Sequence, residues 1–226
     1  MKTGNKWIEL GVSGSSGSFI KGRYFGTNIR YHVDEKIVNR SINFDGSYNW
    51  GMRRGRFGIG IKGAFGSIIF TEKIDHFNGF NFTAIGAYGV LEGSLMGLKY
   101  GMVYINHLYD ESHTFRADRL PILNIRLGKS RSYYLDFNLN DGIGMGLFPE
   151  YFYSFGFFNY GFNDQSGMRR IRLALSANEQ GTNTLLATVG FQHPISQAPL
   201  LFAGTVHFGK EKLFCNLGIR YRFDRG

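Results

Sequence analysis

The chain has 226 residues, of which 32 are glycine and only 4 are proline, and 16% are aromatic. Because 43% of the residues are hydrophobic, this composition excludes intrinsic disorder, which requires few aromatic and apolar side chains. Basic residues outnumber acidic ones by 26 to 17, a net charge of +9, and the single cysteine, Cys215, excludes an intramolecular disulfide and a cysteine-based metal centre.

The N-terminal residues lack the apolar segment of about 7 to 15 residues that is typical of a signal peptide. We therefore expect a mature form with an added methionine, a truncated chain or a non-exported protein. Apolar runs elsewhere are only a few residues long, whereas a membrane-spanning helix needs roughly 18 to 20. The sequence thus excludes helical membrane spans.

A period of two runs through almost the whole chain. From Phe57 to Phe65, large apolar residues largely alternate with glycine, lysine and alanine, and similar patterns recur from Met96 to Tyr104 and from Leu213 to Phe223. Successive side chains of a β-strand point to opposite faces, so this pattern indicates strands with one apolar face and one polar or small face.

Thirteen segments show this pattern, and most of them contain ten or more residues. They lie near residues 6–13, 23–33, 37–50, 56–70, 80–92, 95–106, 119–128, 131–140, 150–161, 168–177, 183–192, 199–209 and 212–223. Strands of water-soluble proteins have about 5 to 6 residues, whereas a tilted membrane-spanning strand needs about 9 to 11. The lengths favour membrane-spanning strands.

The connections alternate between two kinds. Tight turns are expected at 53–55, 93–94 and 128–131, and longer loops at 71–79, 107–118 and 141–149. Short turns on one side and longer loops on the other are typical of outer-membrane barrels. Aromatic residues near segment ends, such as Tyr48, Trp50 and Tyr221, suit the two membrane interfaces.

We therefore predict an all-β fold, a transmembrane antiparallel up-and-down β-barrel formed by residues 1–226 as a single domain. Bacterial barrels have even strand numbers, so 12 strands are expected if residues 6–13 do not span, and 14 if a strand is missing or a division is overlooked. A soluble β-sandwich or lipocalin-like barrel is the alternative, since alternation does not tell which face points inward.

The last segment carries a short motif. Asn216, Gly218, Tyr221 and Phe223 follow the order polar, any, Gly, any, any, aromatic, any, aromatic. This motif resembles the C-terminal assembly signal of bacterial outer-membrane β-barrel proteins, although three residues follow the final aromatic one. The resemblance implies recognition by the barrel-assembly machinery and location in the outer membrane, in contact with lipid and lipopolysaccharide.

The polar faces contain more basic than acidic residues, which suggests a net-basic lumen. The predicted pore-lining residues are Arg30, Lys62, Lys99, Arg126, Asp136, Arg170, Arg172, His207, Arg220 and Arg222. Fixed positive charges in a low-dielectric wall attract anions, so one hypothesis is a small porin-like channel for solutes or ions, small anionic ones included. The other is a closed lumen filled by hydrogen-bonded polar groups.

Other functions have weaker support. His32 and His207 fall on polar faces, but no nucleophile and orienting group can be assigned to them, so a lipid-modifying enzyme is less favoured than a non-conducting structural or surface-interaction barrel. The acidic and histidine residues of 107–113 are typical of a solvated loop, and we expect neither a metal site nor a cofactor. Basic residues spread through strands do not predict nucleic-acid binding.

Overall fold

The computed structural model describes residues 4–26, 29–74, 77–108, 116–128, 134–139, 153–163, 170–178, 185–195, 199–209 and 212–225. These residues form strands β1 (Lys6–Gly26), β2 (Ile29–Met52), β3 (Gly55–Ile74), β4 (Phe77–Gly93), β5 (Met96–Leu108), β6 (Arg116–Gly128), β7 (Tyr134–Leu139), β8 (Tyr153–Asn163), β9 (Arg170–Asn178), β10 (Leu185–Pro194), β11 (Leu200–Gly209) and β12 (Lys212–Arg225). Among the described residues, no helix has the length and hydropathy needed to cross a bilayer.

Every strand pairs antiparallel with the next strand in the chain, which confirms the predicted all-β, up-and-down arrangement. Strand β1 also pairs with β12, from Lys6 opposite Arg225 to Phe19 opposite Lys212, so that the strand order closes on itself. At one end of the sheet, two-residue connections join β2 to β3 and β4 to β5, at residues 53–54 and 94–95 as expected.

The first hairpin differs from the prediction. Segments 6–13, 23–33 and 37–50 are parts of only two strands, β1 and β2, so the prediction that residues 6–13 do not span is wrong. The glycine- and serine-rich stretch 14–18 resembles a turn in the sequence, but it continues β1 because β2 and β12 pair with it on both sides. The backbone hydrogen bonds to the two neighbouring strands outweigh the weak local preference of glycine for turns.

A second correction concerns the predicted loop 71–79. Strand β3 continues to Ile74 and β4 begins at Phe77, with an irregularity in pairing between Ile69 and Ile74. Polar side chains in this stretch suggested a loop, but backbone pairing does not require apolar residues once a hairpin is formed. The predicted loop 141–149 lies outside the described residues, as does most of 107–118.

The outward face of the sheet is apolar. Leu10, Val12, Ile61 and Ile85 are 54%, 61%, 57% and 60% exposed, and similar side chains are exposed along β1 to β6 and β9 to β12. The other face of the same strands contains glycine, serine and lysine residues, of which Ser15, Ser41 and Lys62 are buried. A soluble sandwich or lipocalin-like barrel would bury the apolar face instead, so this arrangement favours the first of the two predicted alternatives.

Candidate functional site: the inner face of the barrel

Strand pairing places six of the predicted pore-lining residues on the inner face. They are Lys62, Lys99, Arg126, His207, Arg220 and Arg222, each in register with inward-facing neighbours on adjacent strands. The side chains of the other four, Arg30, Asp136, Arg170 and Arg172, lie outside the described residues. We next consider the inner face region by region.

The inner face of β3 to β6 is densely packed. Val103, Ile105 and Ile122 have no solvent exposure, although they face inward, away from the apolar outer surface. We name this region the packed wall, formed by Ala64, Phe82, Ala84, Val103, Ile105 and Ile122. Sequence analysis missed it, because these residues fall on faces that we expected to be polar. On this side, the lumen is filled by apolar side chains.

Tyr88 crosses the inner face beside the packed wall. Glycine residues flank it on both neighbouring strands, at Gly60 and Gly101, and the tyrosine ring lies where a side chain at Gly60 would be. The Tyr88 hydroxyl donates a hydrogen bond of 2.8 Å to Asp45, and the Lys99 ammonium lies 4.0 Å from the ring centre. The missing side chain at Gly60 thus lets one tyrosine connect β2, β4 and β5.

A second polar cluster lies close to the two-residue turns. Glu92 accepts a hydrogen bond of 2.6 Å from Arg56 Nε and a shorter one from Arg126 Nη2, with each side chain about one-quarter exposed. Arg126 reaches Glu92 by passing over Gly97, which pairs with both residues. Arg56 also approaches Asn49 Oδ1 at 3.4 Å. Sequence analysis placed Arg126 on the inner face but missed Arg56.

The inner face of β11, β12 and the first half of β1 is more accessible. We name this region the open wall, formed by Ala203, Thr205, His207, Asn216, Gly218, Arg220, Arg222, Glu9, Gly11 and Ser13. None of these residues is buried, and Arg220 is exposed although it faces inward beside Gly11. Water therefore reaches the inner face along the open wall.

Below Arg220, towards the chain termini, three side chains are held together. The Trp7 indole N–H donates a hydrogen bond of 3.0 Å to Glu9, and the Arg222 guanidinium lies 5.0 Å from the centre of the Trp7 ring. Trp7 is only 2% exposed. Its ring provides an apolar support that fixes one carboxylate and one cation at this end of the open wall.

Beyond Ser13, a network of short polar side chains joins β12, β1 and β2. Asn43 donates hydrogen bonds to Ser15 at 2.6 Å, and Asn216 donates to Ser15 at 3.1 Å and to Ser13 at 3.3 Å. Ser41 donates to Asn43 Oδ1 at 3.1 Å. The network satisfies inward-facing polar groups across the seam between the first and last strands.

His207 lies beside a hydroxyl group, which bears on the hypothesis of an enzyme. Its Nδ1 is 2.8 Å from Thr188 Oγ1, a distance suited to a nucleophile and its base. However, Thr188 is only 4% exposed. A lipid substrate cannot reach this hydroxyl in the arrangement observed, and the contact is that of a buried threonine with a hydrogen-bond partner.

The four residues of the C-terminal motif are divided between the two faces of β12. Asn216 and Gly218 face inward, whereas Tyr221 and Phe223 face outward with ring centres 6.3 Å apart. A side chain at Gly218 would lie 2.5 Å from Cβ of Ser13. The glycine therefore allows β12 to approach β1 closely at the position where the first and last strands pair.

Comparison with known proteins identifies the fold. No protein-family model matches the sequence, and no curated protein matches it. The β domain of the Bordetella autotransporter BrkA has a TM-score of 0.50 at 11% identity, covering 98% of this chain and 100% of that chain. An outer-membrane channel from Pseudomonas putida F1 has a TM-score of 0.53 at 11% identity, covering 100% and 97%. The chain has the fold of bacterial outer-membrane β-barrel proteins.

Proposed function

We propose that this protein is a twelve-stranded barrel of the bacterial outer membrane that allows small solutes or ions to pass through a net-basic lumen. The observation that carries the membrane location is the apolar outer face. Leu10, Val12, Ile85 and similar side chains would expose far more apolar surface to water than a soluble monomer tolerates. In a bilayer the same side chains would contact lipid, and each described strand pairs with a neighbour on both sides, as backbone groups in lipid require.

Aromatic residues support the same location. Tyr48 and Trp50 contact each other at 4.4 Å between ring centres, and Trp50 stacks on Phe57 at 5.3 Å. The three rings lie on the outer face beside the turn at residues 53–54. Aromatic groups at this level are typical of a membrane interface, so we propose that the turn lies on the periplasmic side.

A basic lumen is supported by the inward-facing charges. Among the side chains that the structure describes, six inward-facing ones are basic and three are acidic. The basic ones are Arg56, Lys62, Lys99, Arg126, Arg220 and Arg222, and the acidic ones are Glu9, Asp45 and Glu92. Passage along the lumen is supported by the accessible open wall. The packed wall narrows the lumen, which favours small solutes over large ones.

The test is single-channel conductance of refolded protein in a planar bilayer, with ion selectivity taken from the reversal potential under a salt gradient. We expect small, stable current steps with a preference for anions. Folding is checked separately by the faster gel migration of the unheated barrel. A folded protein that carries no current would contradict the proposed channel and favour a structural role.

We also propose that the barrel-assembly machinery recognises β12 through Asn216, Gly218, Tyr221 and Phe223, and that the outer face contacts lipid and lipopolysaccharide. Replacing Phe223, which is 50% exposed on the outer face, by alanine should slow insertion in cells. Phe208→Ala on the outer face of β11 is the matched control, since Phe208 is 46% exposed and lies outside the motif. Equal insertion of both variants would argue against the assembly signal.

A second function is favoured by the length of the first strands. Strand β2 has 24 residues and β1 has 21, whereas a membrane-spanning strand needs about 9 to 11. The first hairpin therefore extends beyond the membrane on the side opposite the short turns, where it offers backbone to a surface partner.

We propose no enzymatic activity, because Thr188 beside His207 is buried.

A further inference from the structure

We infer that the solute path follows the open wall and that Arg220 selects small anions within it. This inference rests on the proposed channel function and adds the location of the path, the residue that determines selectivity and the class of solute. It depends on three observations: the difference in accessibility between the two walls, the surroundings of Arg220, and the contacts that the neighbouring charged side chains make with other residues.

The accessibility of the two walls differs although both face the same lumen. Inward-facing Val103, Ile105 and Ile122 have no exposed surface. Along the open wall, Thr205, Gly218 and Arg220 all remain accessible. A hydrated ion needs an accessible surface, and the inward-facing residues of β12 from Asn216 to Arg222, of β1 from Glu9 to Ser13 and of β11 from Ala203 to His207 are all accessible. The path therefore lies against β11, β12 and β1.

The side chain of Arg220 lies over a glycine and remains exposed to this path. Its partner on β1 is Gly11, where an added Cβ would lie 3.6 Å from Cγ of Arg220, an ordinary contact distance. Its partner on β11 is Leu201, which is apolar. Among the described residues, no carboxylate forms an ion pair with Arg220. Its positive charge is therefore available to a passing anion.

The charged side chains near Arg220 already form contacts with other residues. Glu9 accepts the indole N–H of Trp7, and the Arg222 guanidinium lies over the Trp7 ring. Together, Arg220, Arg222 and Glu9 leave one net positive charge at this level of the lumen. On the opposite side, the carboxylate of Glu92 lies between Arg56 and Arg126. Among the inward-facing basic residues whose side chains are described, Arg220 is thus the exposed one, at which an anion exchanges part of its hydration.

The chemistry of this site suits small monovalent anions. One guanidinium with free N–H donors binds chloride or a small carboxylate weakly enough for release, whereas a cage of several cations would hold it. A low-dielectric wall concentrates the field of this charge on the path and raises the local anion concentration by about tenfold or more.

The first experiment measures the chloride-to-potassium permeability ratio of single channels for the unaltered protein, Arg220→Glu and Arg220→Gln. Arg119→Glu is the matched control, because Arg119 lies on the outer face, where its guanidinium contacts Tyr104 at 5.3 Å. We expect the ratio to fall by about tenfold for Arg220→Glu, less for Arg220→Gln, and to stay constant for Arg119→Glu.

Two results would overturn the inference in different ways. An unaltered ratio in folded, conducting Arg220→Glu channels would show that the path lies elsewhere, while the proposed channel function would stand. A folded parent protein without current would contradict the channel function itself, and the anion path with it.

A second experiment does not depend on folding of the charge-reversed variant. In a Cys215→Ser background, single cysteines replace Thr205 on the open wall or Val103 on the packed wall, and an anionic thiosulfonate reagent is added during recording. We expect the reagent to reduce the current through Thr205→Cys channels and to leave Val103→Cys channels unchanged. The opposite pattern would place the path against the packed wall and overturn the inference.

Discussion

The packed wall and the open wall belong to one sheet and share one outer face, yet their inner faces differ. Leu10 and Val12 outside the open wall are as exposed as Ile61 and Ile85 outside the packed wall. Inside, the packed wall buries valine and isoleucine completely, whereas the open wall leaves an arginine exposed. In the proposed membrane location, lipid would impose the same requirement on every strand, while the lumen permits each strand a different solution.

The walls also differ in whether their charged side chains are paired with other residues or hydrated. Beside the packed wall, Glu92 lies between Arg56 and Arg126, and Asp45 accepts the Tyr88 hydroxyl. Such cross-strand bonds keep charged groups paired where water is scarce. On the open wall, Arg220 is hydrated and needs no partner. The comparison suggests that the packed wall contributes stability and the open wall contributes function, which four pairs of variants test.

The largest expected effect comes from placing a carboxylate on either wall. Val103→Asp puts a charge where the side chain has no exposure, with an expected loss of about 3 to 5 kcal/mol in the free energy of unfolding. Thr205→Asp, on the accessible wall, should cost less than about 1 kcal/mol. Urea unfolding in lipid vesicles measures both, and equal losses would remove the distinction between the walls.

The next effect concerns Glu92. Glu92→Gln leaves Arg56 and Arg126 without their carboxylate, and we expect a loss of about 1 to 3 kcal/mol. A double-mutant cycle with Arg126→Gln isolates the pair and should give a coupling of about 1 kcal/mol or more. Glu9→Gln on the open wall is the control. A coupling near zero would mean that the ion pairs are solvated contacts.

A smaller effect is expected from adding one methyl group to an inward-facing glycine. In Gly60→Ala the new Cβ would lie 2.5 Å from Cζ of Tyr88 and 2.8 Å from the carbonyl oxygen of Gly46, so the tyrosine must move, at about 1 to 2 kcal/mol. Gly11→Ala meets only ordinary contacts and should be nearly neutral. Equal midpoints of unfolding for the two variants would show that Tyr88 is not fixed by Gly60.

The smallest effect is expected for Thr188→Val, which removes the hydroxyl that contacts His207 at 2.8 Å. We expect a loss of about 0.5 to 1.5 kcal/mol, the usual net value of one hydrogen bond. Thr205→Val on the open wall is the matched control, with a hydroxyl that water can replace. A larger loss for Thr205→Val than for Thr188→Val would show that burial of the hydroxyl does not determine the cost of removing it.

Part of the lumen was predictable from residue order alone. Alternation in β3 and β5 assigned Lys62 and Lys99 to the face opposite the large apolar residues, and the structure places both inward. The hydrogen bonds from Arg56 to Glu92 and from Tyr88 to Asp45 were not predictable. They join residues that are 36 and 43 positions apart in the chain, and they depend on how the strands pair. No local pattern encodes such pairings.

The prediction for the N-terminal strands failed for a related reason. The predicted segments stopped at residue 13 and resumed at residue 23, but pairing with β2 and β12 holds the glycine- and serine-rich stretch 14–18 in β1. Local preferences of glycine amount to less than about 1 kcal/mol per residue, and strand neighbours on both sides outweigh them. The extent of β1 was therefore decided by its neighbours.

Residue order determined the period of two, the strand type and the chemical difference between the two faces, because side chains alternate along any strand. Only the tertiary structure decided which face is inside. The curvature of the paired sheet turns glycine, serine and the charged residues inward, and it exposes phenylalanine, isoleucine and leucine. The same curvature brings β1 beside β12, so that Arg220 lies next to Gly11, a residue 209 positions away in the chain.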